Sequence, residues 1–242
     1  MELNTILQRF AEGLEYVDAN TTHASANRRS GEVYLPGVKT LTERQFVLEL
    51  TNWWKHYKSI DFNPRNAIEL EVPYRGIPRA KCDLVMSTNG SPLQSPEWAI
   101  EVKHIALVGN NGKNNDFGVA KILSPYLKDR SLIHDIYRMQ KHGVAQRKAV
   151  IGYCFSYDNE SCQEAKRRHP ESIEFIQNIE EVLRGNDPEG RKYSVMPMVE
   201  FANDIFSERN LVFNLEVREF SNAWRHPCGG KGIVFGWELK PL

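Results

Sequence analysis

Two acidic side chains and a lysine stand near one another in one short part of the sequence. Residues 84–100 separate Asp83 from the tripeptide Glu101-Val102-Lys103. Successive side chains of a strand point to opposite faces of a sheet, so Glu101 and Lys103 share a face if residues 97–103 form a strand. Magnesium prefers carboxylate oxygens, and a nearby lysine can orient or help deprotonate a metal-bound water. The pattern predicts a magnesium site that acts on phosphodiesters.

Three short segments are expected to hold these side chains. Residues 68–72 read Ile-Glu-Leu-Glu-Val and alternate as a strand does, and residues 82–86 and 97–103 complete the set. Turn-forming residues fill the connections at 73–78 and 87–96. Consecutive strands joined in this way predict an antiparallel meander, which would bring Asp83 beside Glu101.

Helices flank the predicted meander. Thr42 and Gln45 match a capping box, which predicts a helix from there to about Lys58. Ser131–His142 has an amphipathic pattern, and the almost wholly apolar run Lys148–Ser156 predicts a strand covered on both faces. The sequence further predicts helices at Leu3–Val17 and after Pro170, and strands at Met196–Phe201, Leu211–Phe220 and Gly232–Leu239.

Asp83 followed by Glu101-Val102-Lys103, set in the order helix, meander, helix, strand, resembles the PD-(D/E)XK nuclease superfamily. The resemblance implies an α/β fold with a restriction-endonuclease-like core. It also implies that Asp83 and Glu101 bind the metal and that Lys103 serves catalysis. Cys82 stands where the family name has proline. We expect a single domain with an N-terminal helix and arm (1–39), a catalytic core (40–156), and helical and β-rich C-terminal additions (157–242).

The resemblance also implies an additional acid on the first core helix. Glu43 lies seven positions before Leu50 along the chain, which places Glu43 about 20° from Leu50 on a helical wheel and on the inward face. Glu49 lies about 100° away from Leu50. Glu43 is therefore the candidate and Glu49 the reserve.

Charge is distributed unevenly along the chain. The whole sequence has 31 basic and 31 acidic residues, but Lys103–Arg168 has twelve Lys and Arg against six Asp and Glu. Such a basic block can provide an electrostatic footprint for phosphates, and a solvated mixed surface is the equally good alternative. Zero net charge therefore does not exclude a nucleic-acid partner.

Several polar residues outside the motif are candidates for DNA contacts. They lie at a strand entrance, in a Gly/Asn-rich loop and around a glycine-rich stretch, and they are Arg79, Lys81, Asn110, Asn111, Lys113, Asn114, Arg225 and Lys231. Each group also has an equally good explanation without DNA. The first can be ordinary charges at a strand entrance, the second a mobile loop and the third a hairpin turn. Asp135, Arg138 and Lys141 follow one another at intervals of three residues, and we interpret them as an exposed charge ladder on a helix. The resemblance implies an alternative, in which this helix supports the site or a dimer and Gln140 or Lys141 reaches the site.

The resemblance, together with the predicted magnesium site, implies a Mg²⁺-dependent DNA endonuclease, with Mn²⁺ able to substitute, that acts as a homodimer of the type II restriction class. A repair, junction-resolving or transposition nuclease is an alternative, and so is a non-catalytic nucleic-acid-binding or defence-complex subunit. The four cysteines form no CxxC pair, and the apolar runs are too short for a membrane span. We expect a soluble cytoplasmic protein.

Overall fold

Six β-strands form one mixed sheet with the order β1-β2-β3-β4-β6-β5. The computed structural model describes residues 1–22, 26, 31, 33–62, 67–88, 90–115, 120–124, 126, 131–186 and 193–241. The strands are β1 (Ile68–Pro73), β2 (Lys81–Met86), β3 (Trp98–His104), β4 (Arg147–Phe155), β5 (Val212–Ala223) and β6 (Gly230–Leu239).

The first three strands are a meander of antiparallel neighbours. β1 pairs with β2 in the register Leu70–Leu84, and β2 pairs with β3 in the register Leu84–Ile100. β4 then runs parallel to β3, with Lys103 opposite Gly152. A parallel neighbour requires a crossover connection, and this one contains a helix. β6 and β5 continue the sheet with antiparallel pairing.

Helices precede the first strand and lie between β3 and β4 and between β4 and β5. They are α1 (Leu3–Asn20), α2 (Glu43–Tyr57), α3 (Leu132–His142), α4 (Asn159–Arg168), α5 (Ile173–Asn186) and α6 (Met196–Glu208). α3 lies in the crossover between β3 and β4. α1 and α2 approach closely where Gly13 presents no side chain to Leu50 and Trp53. The helix–sheet organisation confirms the predicted mixed α/β class.

A capping box fixes the start of α2. The Thr42 hydroxyl accepts a hydrogen bond from the backbone N–H of Gln45, and the Gln45 side chain accepts one from the backbone N–H of Thr42. Both bonds satisfy donors that the first turn of a helix leaves unpaired. The helix therefore begins at Glu43, as the sequence predicts, and presents this carboxylate at its first turn.

The core lies between the sheet and the helices and is rich in aromatic residues. The largest wholly buried side chains include Trp54 of α2, Trp98 of β3, Tyr153 of β4 and Trp237 of β6. β4 is buried from Ala149 to its end. A strand with sheet neighbours on both sides and covered faces needs apolar residues throughout, as its sequence indicates.

Two helical segments correct the predictions from sequence. The predicted strand Met196–Phe201 is wrong, because this segment begins α6. Pro197 fits the first turn of a helix, and Val199, Ala202 and Phe206 are buried at helical spacing. α4 was not predicted separately. Within the described residues, no helix is long and apolar enough to cross a membrane.

We predict that Gly232→Ala lowers the free energy of unfolding by about 1–3 kcal/mol, as overpacking does. A Cβ at Gly232 would meet the backbone oxygen of Cys154 and would lie 2.9 Å from the Cα of Phe155, where β4 and β6 pair. Gly185→Ala in α5 is the control, since a Cβ there meets no atom within 4 Å. Urea denaturation measures the free energy of unfolding of both variants. A Gly232→Ala protein as stable as wild type would contradict the close packing described at Gly232.

Candidate active site

The sheet opens between β2 and β3 at Asp83. Regular pairing of these strands ends at Leu84 and Ile100, and the same register places Asp83 opposite Glu101. The Oδ2 atom of Asp83 accepts a hydrogen bond of 2.8 Å from the backbone N–H of Val102. The carboxylate thus satisfies a strand donor that would otherwise lack a ladder partner. This bond fixes Asp83 beside Glu101.

The backbone of β1 is distorted at Glu71, which has a φ of 52°. A non-glycine residue rarely adopts positive φ, and such strain concentrates at functional sites. The Glu71 carboxylate lies 2.7 Å from the Arg44 guanidinium and 3.9 Å from the Lys81 ammonium. Two cations therefore lie together at this part of the sheet.

Glu101 is the most enclosed of the predicted site residues, with 2% of its surface exposed. Its Oε1 atom accepts hydrogen bonds from the Tyr74 hydroxyl at 2.5 Å and from Nη2 of Arg138 at 3.1 Å. Burial raises the pKa of Glu101 well above its usual range, and the charges of Asp83 and Asp135 raise it further. These effects outweigh the opposite influence of Arg138.

Lys103 points from the same face of β3 into a group of carboxylates. Its Nζ atom lies 3.1 Å from Oδ2 of Asp135 and 3.8 Å from Oε2 of Glu43. Burial alone would lower the pKa of Lys103, but the charges of Asp135, Glu43 and the neighbouring acids raise it. Lys103 is therefore an ammonium ion, which can orient a water or stabilise negative charge but holds its proton firmly.

Glu43 joins the site from the first turn of α2. Its Oε1 atom accepts hydrogen bonds from the backbone N–H of His104 at 3.2 Å and from Nζ of Lys121 at 3.0 Å. The structure thus brings Glu43 to Lys103. The reserve candidate Glu49 instead lines a cavity with Tyr16 and neighbouring residues of α1. We call Glu43, Asp83, Glu101 and Asp135 the acid cluster.

The predicted exposed charge ladder on α3 is wrong for two of its members. Asp135 is 0% exposed, and the Arg138 side chain is 13% exposed. Nη2 of Arg138 lies 2.5 Å from Oδ1 of Asp135 and also contacts Glu101. The sequence did contain a signal, because Asp135 lies within about 60° of both Leu132 and Met139 on a helical wheel. Both of these apolar residues are buried.

Tyr74 and Lys121 complete the surroundings of the acid cluster, and the sequence prediction missed both. Tyr74 is 4% exposed, and the guanidinium carbon of Arg138 lies 5.4 Å from the centre of its ring. Lys121 donates to Glu43 and, at 3.3 Å, to the backbone oxygen of His104. Neither residue belongs to the motif, so only the tertiary structure identifies them.

Asp83 and Glu101 fit a hard divalent cation by their donor chemistry. Both provide carboxyl oxygens, and the charges of Asp83 and Asp135, which add to the effect of burial on the pKa of Glu101, are ones that such a cation would offset. Among the described residues, no group of three or more His, Cys, Asp or Glu side chains could hold a metal ion. Mg²⁺ commonly takes only one or two carboxylates and completes its shell with waters and substrate phosphates.

His104 is excluded from this donor set by its orientation. Its ring stacks on that of Tyr153, with centroids 4.7 Å apart. Burial lowers the pKa of His104 well below its usual range, and Lys39 and Lys121 contribute to the shift. The imidazole is therefore a neutral, half-buried packing group on the opposite face of β3 from Glu101, as the alternation of the strand predicts.

The candidate DNA contacts on the Gly/Asn-rich loop lie against other parts of the protein. The Asn178 side chain donates to the backbone oxygen of Asn111, and the Tyr193 hydroxyl donates to Oδ1 of Asn114. Asn110 and Lys113 lie in the same turn, in which the Asn111 side chain accepts a hydrogen bond from the backbone N–H of Lys113. The hydrogen bonds of the segment therefore go to α5 and to Tyr193, which lies between α5 and α6, rather than to the acid cluster.

The remaining candidates lie at two other places. Arg79 has a φ of 68° in the turn before β2, and Lys81 is the first residue of that strand. The backbone N–H of Arg225 donates to the buried Asp18. Nζ of Lys231 lies 2.9 Å from Asp158 and 3.3 Å from Glu160 in the described structure. Their roles in DNA contact stay predictions.

Comparison of the chain with protein-family models, curated proteins and solved structures finds no match. The class of the site is therefore defined by its chemistry. It is a buried set of acids that alternate with cations, at the point where two strands of a mixed sheet separate.

We predict that Glu101→Gln makes the metal-free protein more stable at pH 8, by about 1–3 kcal/mol in free energy of unfolding. The raised pKa means that the folded chain keeps a proton that the unfolded chain releases above its usual value of 4.5. Wild type therefore loses stability as pH rises above that value, whereas Gln stays neutral and still accepts from Tyr74 and Arg138.

Urea denaturation in EDTA from pH 5 to pH 8 measures this difference, which should shrink toward pH 5. A Glu101→Gln protein that is less stable than wild type at pH 8 would show that Glu101 is ionised in the folded protein.

Proposed function

We propose that the protein is a Mg²⁺-dependent endonuclease of the PD-(D/E)XK type that hydrolyses DNA phosphodiesters. The observation that carries this proposal is the convergence of Asp83, Glu101 and Lys103 on one face of the sheet, where β2 and β3 separate. Glu43 of α2 lies within 3.8 Å of the Lys103 ammonium. The four side chains come from three elements, β2, β3 and α2, and Asp83 and Glu101 would offer two carboxyl groups on the face from which the protonated amine of Lys103 projects.

Each residue has a role that follows from its surroundings. Asp83 and Glu101 would hold Mg²⁺, which when bound neutralises charge on the phosphate and lowers the pKa of a coordinated water. Lys103 keeps its proton because of the neighbouring carboxylates. It would therefore orient the attacking water or stabilise the negative charge that develops on the phosphate. Glu43 would hold Lys103 and Lys121 at the edge of the site.

The order of elements supports a restriction-endonuclease-like core. α2, the β1-β2-β3 meander, α3 and the parallel strand β4 follow one another in the order that the resemblance implies. The helices α4 to α6 and the strands β5 and β6 would be additions around this core. A type II restriction enzyme that works as a homodimer is the proposed member of this class, and a repair, junction-resolving or transposition nuclease is the alternative.

One observation favours a second candidate, a non-catalytic nucleic-acid-binding or defence-complex subunit. Arg138 and Lys103 already contact the buried acids Glu101 and Asp135. A cluster that its own cations neutralise can serve as a structural element without a metal. The two candidates differ in one measurable respect, namely whether removal of Asp83 or Lys103 abolishes a metal-dependent reaction.

We predict that Asp83→Asn and Lys103→Met each reduce Mg²⁺-dependent plasmid cleavage by about 10²-fold or more, the usual worth of a positioned catalytic group. Wild type should cleave with Mg²⁺ or Mn²⁺ and not with EDTA. Matched controls are Asp204→Asn on the exposed side of α6 and Lys240→Met beside Phe213. Both should cleave as wild type does.

The substrate panel should contain supercoiled, nicked, branched and single-stranded DNA, because a restriction enzyme and a junction-resolving enzyme differ in which of these they cut. Cleavage that survives in both Asp83→Asn and Lys103→Met would contradict the assignment. Absence of cleavage of every substrate by wild type would favour the non-catalytic candidate.

A further inference from the structure

A pair of charged residues on the crossover helix contacts Glu101 and Lys103 of the proposed catalytic motif. Asp135 binds Lys103 through Oδ2 and Arg138 through Oδ1. Arg138 in turn binds Oε1 of Glu101. Four buried or nearly buried side chains, alternately basic and acidic, thus form a continuous chain of contacts from Lys103 to Glu101. None of the motif's own residues supplies the two central members of this chain.

We propose that Asp135 is a positioning residue that holds the Lys103 ammonium away from Asp83 and Glu101. This inference rests on the proposed function, because it assigns a role within the same site. It adds a residue to the catalytic arrangement that the motif does not contain. Arg138 is the second partner of Asp135 and fixes which carboxylate oxygen faces Lys103.

The need for a positioning residue follows from the chemistry of lysine. Its ammonium is a compact charge on a flexible stem of four carbons, so it moves toward the nearest available carboxylate. Asp83 and Glu101 both lie near enough to contribute to the electrostatic environment of Lys103. A lysine drawn to either carboxylate would occupy oxygens that the proposed site needs for a cation.

Asp135 lies closer to the Lys103 ammonium than Glu43 does and is held more firmly in place. Its Oδ2 atom is 3.1 Å from the Lys103 ammonium, whereas the nearest Glu43 oxygen is 3.8 Å away. Asp135 is also fully buried, and Ile136 and Met139 anchor the same helix in the core. A fully buried carboxylate on an anchored helix has little freedom to follow the lysine. The ammonium therefore stays on the side of the site that α3 forms.

Arg138 restrains Asp135 in turn. Its guanidinium contacts Oδ1 of Asp135 and Oε1 of Glu101, and it lies over the ring of Tyr74. A planar guanidinium with three such partners has a fixed position. Oδ1 of Asp135 is therefore engaged, and Oδ2 is left to face Lys103.

Asp135→Asn tests the proposal kinetically, since the amide has nearly the same shape but no charge. On a plasmid substrate we expect kcat to fall by about 10²-fold, the cost of misplacing a catalytic group by about 1 Å. KM for DNA should stay as in wild type. In a Lys103→Met background the same substitution should have no further effect. Lys141→Gln, an exposed change on the same helix, is the control and should leave both constants unchanged.

Amine labelling tests the positioning without any cleavage. Wild type and Asp135→Asn are treated briefly with an amine-acylating reagent, and modification of each lysine is quantified by mass spectrometry. Lys103 should become several-fold more reactive in Asp135→Asn, whereas Lys148 and Lys240 should not change. Unchanged reactivity of Lys103 would overturn the proposal even if the protein is a nuclease. A labelling change in a protein that cleaves nothing would instead contradict the proposed function alone.

If Asp135→Asn unfolds, the reactivity of every lysine toward the acylating reagent rises. In that case Asp135→Glu is the variant to test. Glutamate keeps the charge but moves the carboxylate by one methylene. We expect it to retain the fold, lower kcat and leave KM unchanged. Equal kcat in Asp135→Glu and wild type, together with equal labelling of Lys103, would overturn the proposal.

Discussion

The structure depends on the neutralisation of several carboxylates that are removed from water in one place. A buried charge without a partner costs several kcal/mol, and acids that lie close together raise one another's pKa. Asp135 and Glu101 are almost completely buried, and the chain places Lys103 and Arg138 between and beside them. The acid cluster can therefore exist only if the elements that carry its cations pack at the right distances.

This constraint explains how the elements around the cluster are built. The capping box starts α2 at Glu43, the β2–β3 ladder ends where Asp83 binds the Val102 N–H, and α3 turns Asp135 inward. The constraint also changes the interpretation of the basic block Lys103–Arg168. Two of its cations, Lys103 and Arg138, are counterions inside the protein. Part of the local positive excess therefore balances acids of the chain itself and does not face a phosphate.

The sequence predicted those features that depend on local periodicity. Strand alternation placed Glu101 and Lys103 on one face, and the helical wheel chose Glu43 rather than Glu49. The partners of Asp135 were not predictable in this way, because the contact between α3 and β3 depends on tertiary packing. The prediction of a strand at Met196–Phe201 was wrong for a related reason. Met196–Phe201 is rich in apolar residues, and a short apolar run fits a strand as well as a helix until its neighbours are known.

The central claim is that Asp83 and Glu101 together form a divalent-cation site. Calorimetric titration of the DNA-free protein with Mn²⁺ tests it most directly, with Asp83→Asn and Glu101→Gln as comparisons. The account predicts binding to wild type that is lost or greatly weakened in both variants. Absence of binding to wild type, or equal binding in all three proteins, would contradict it.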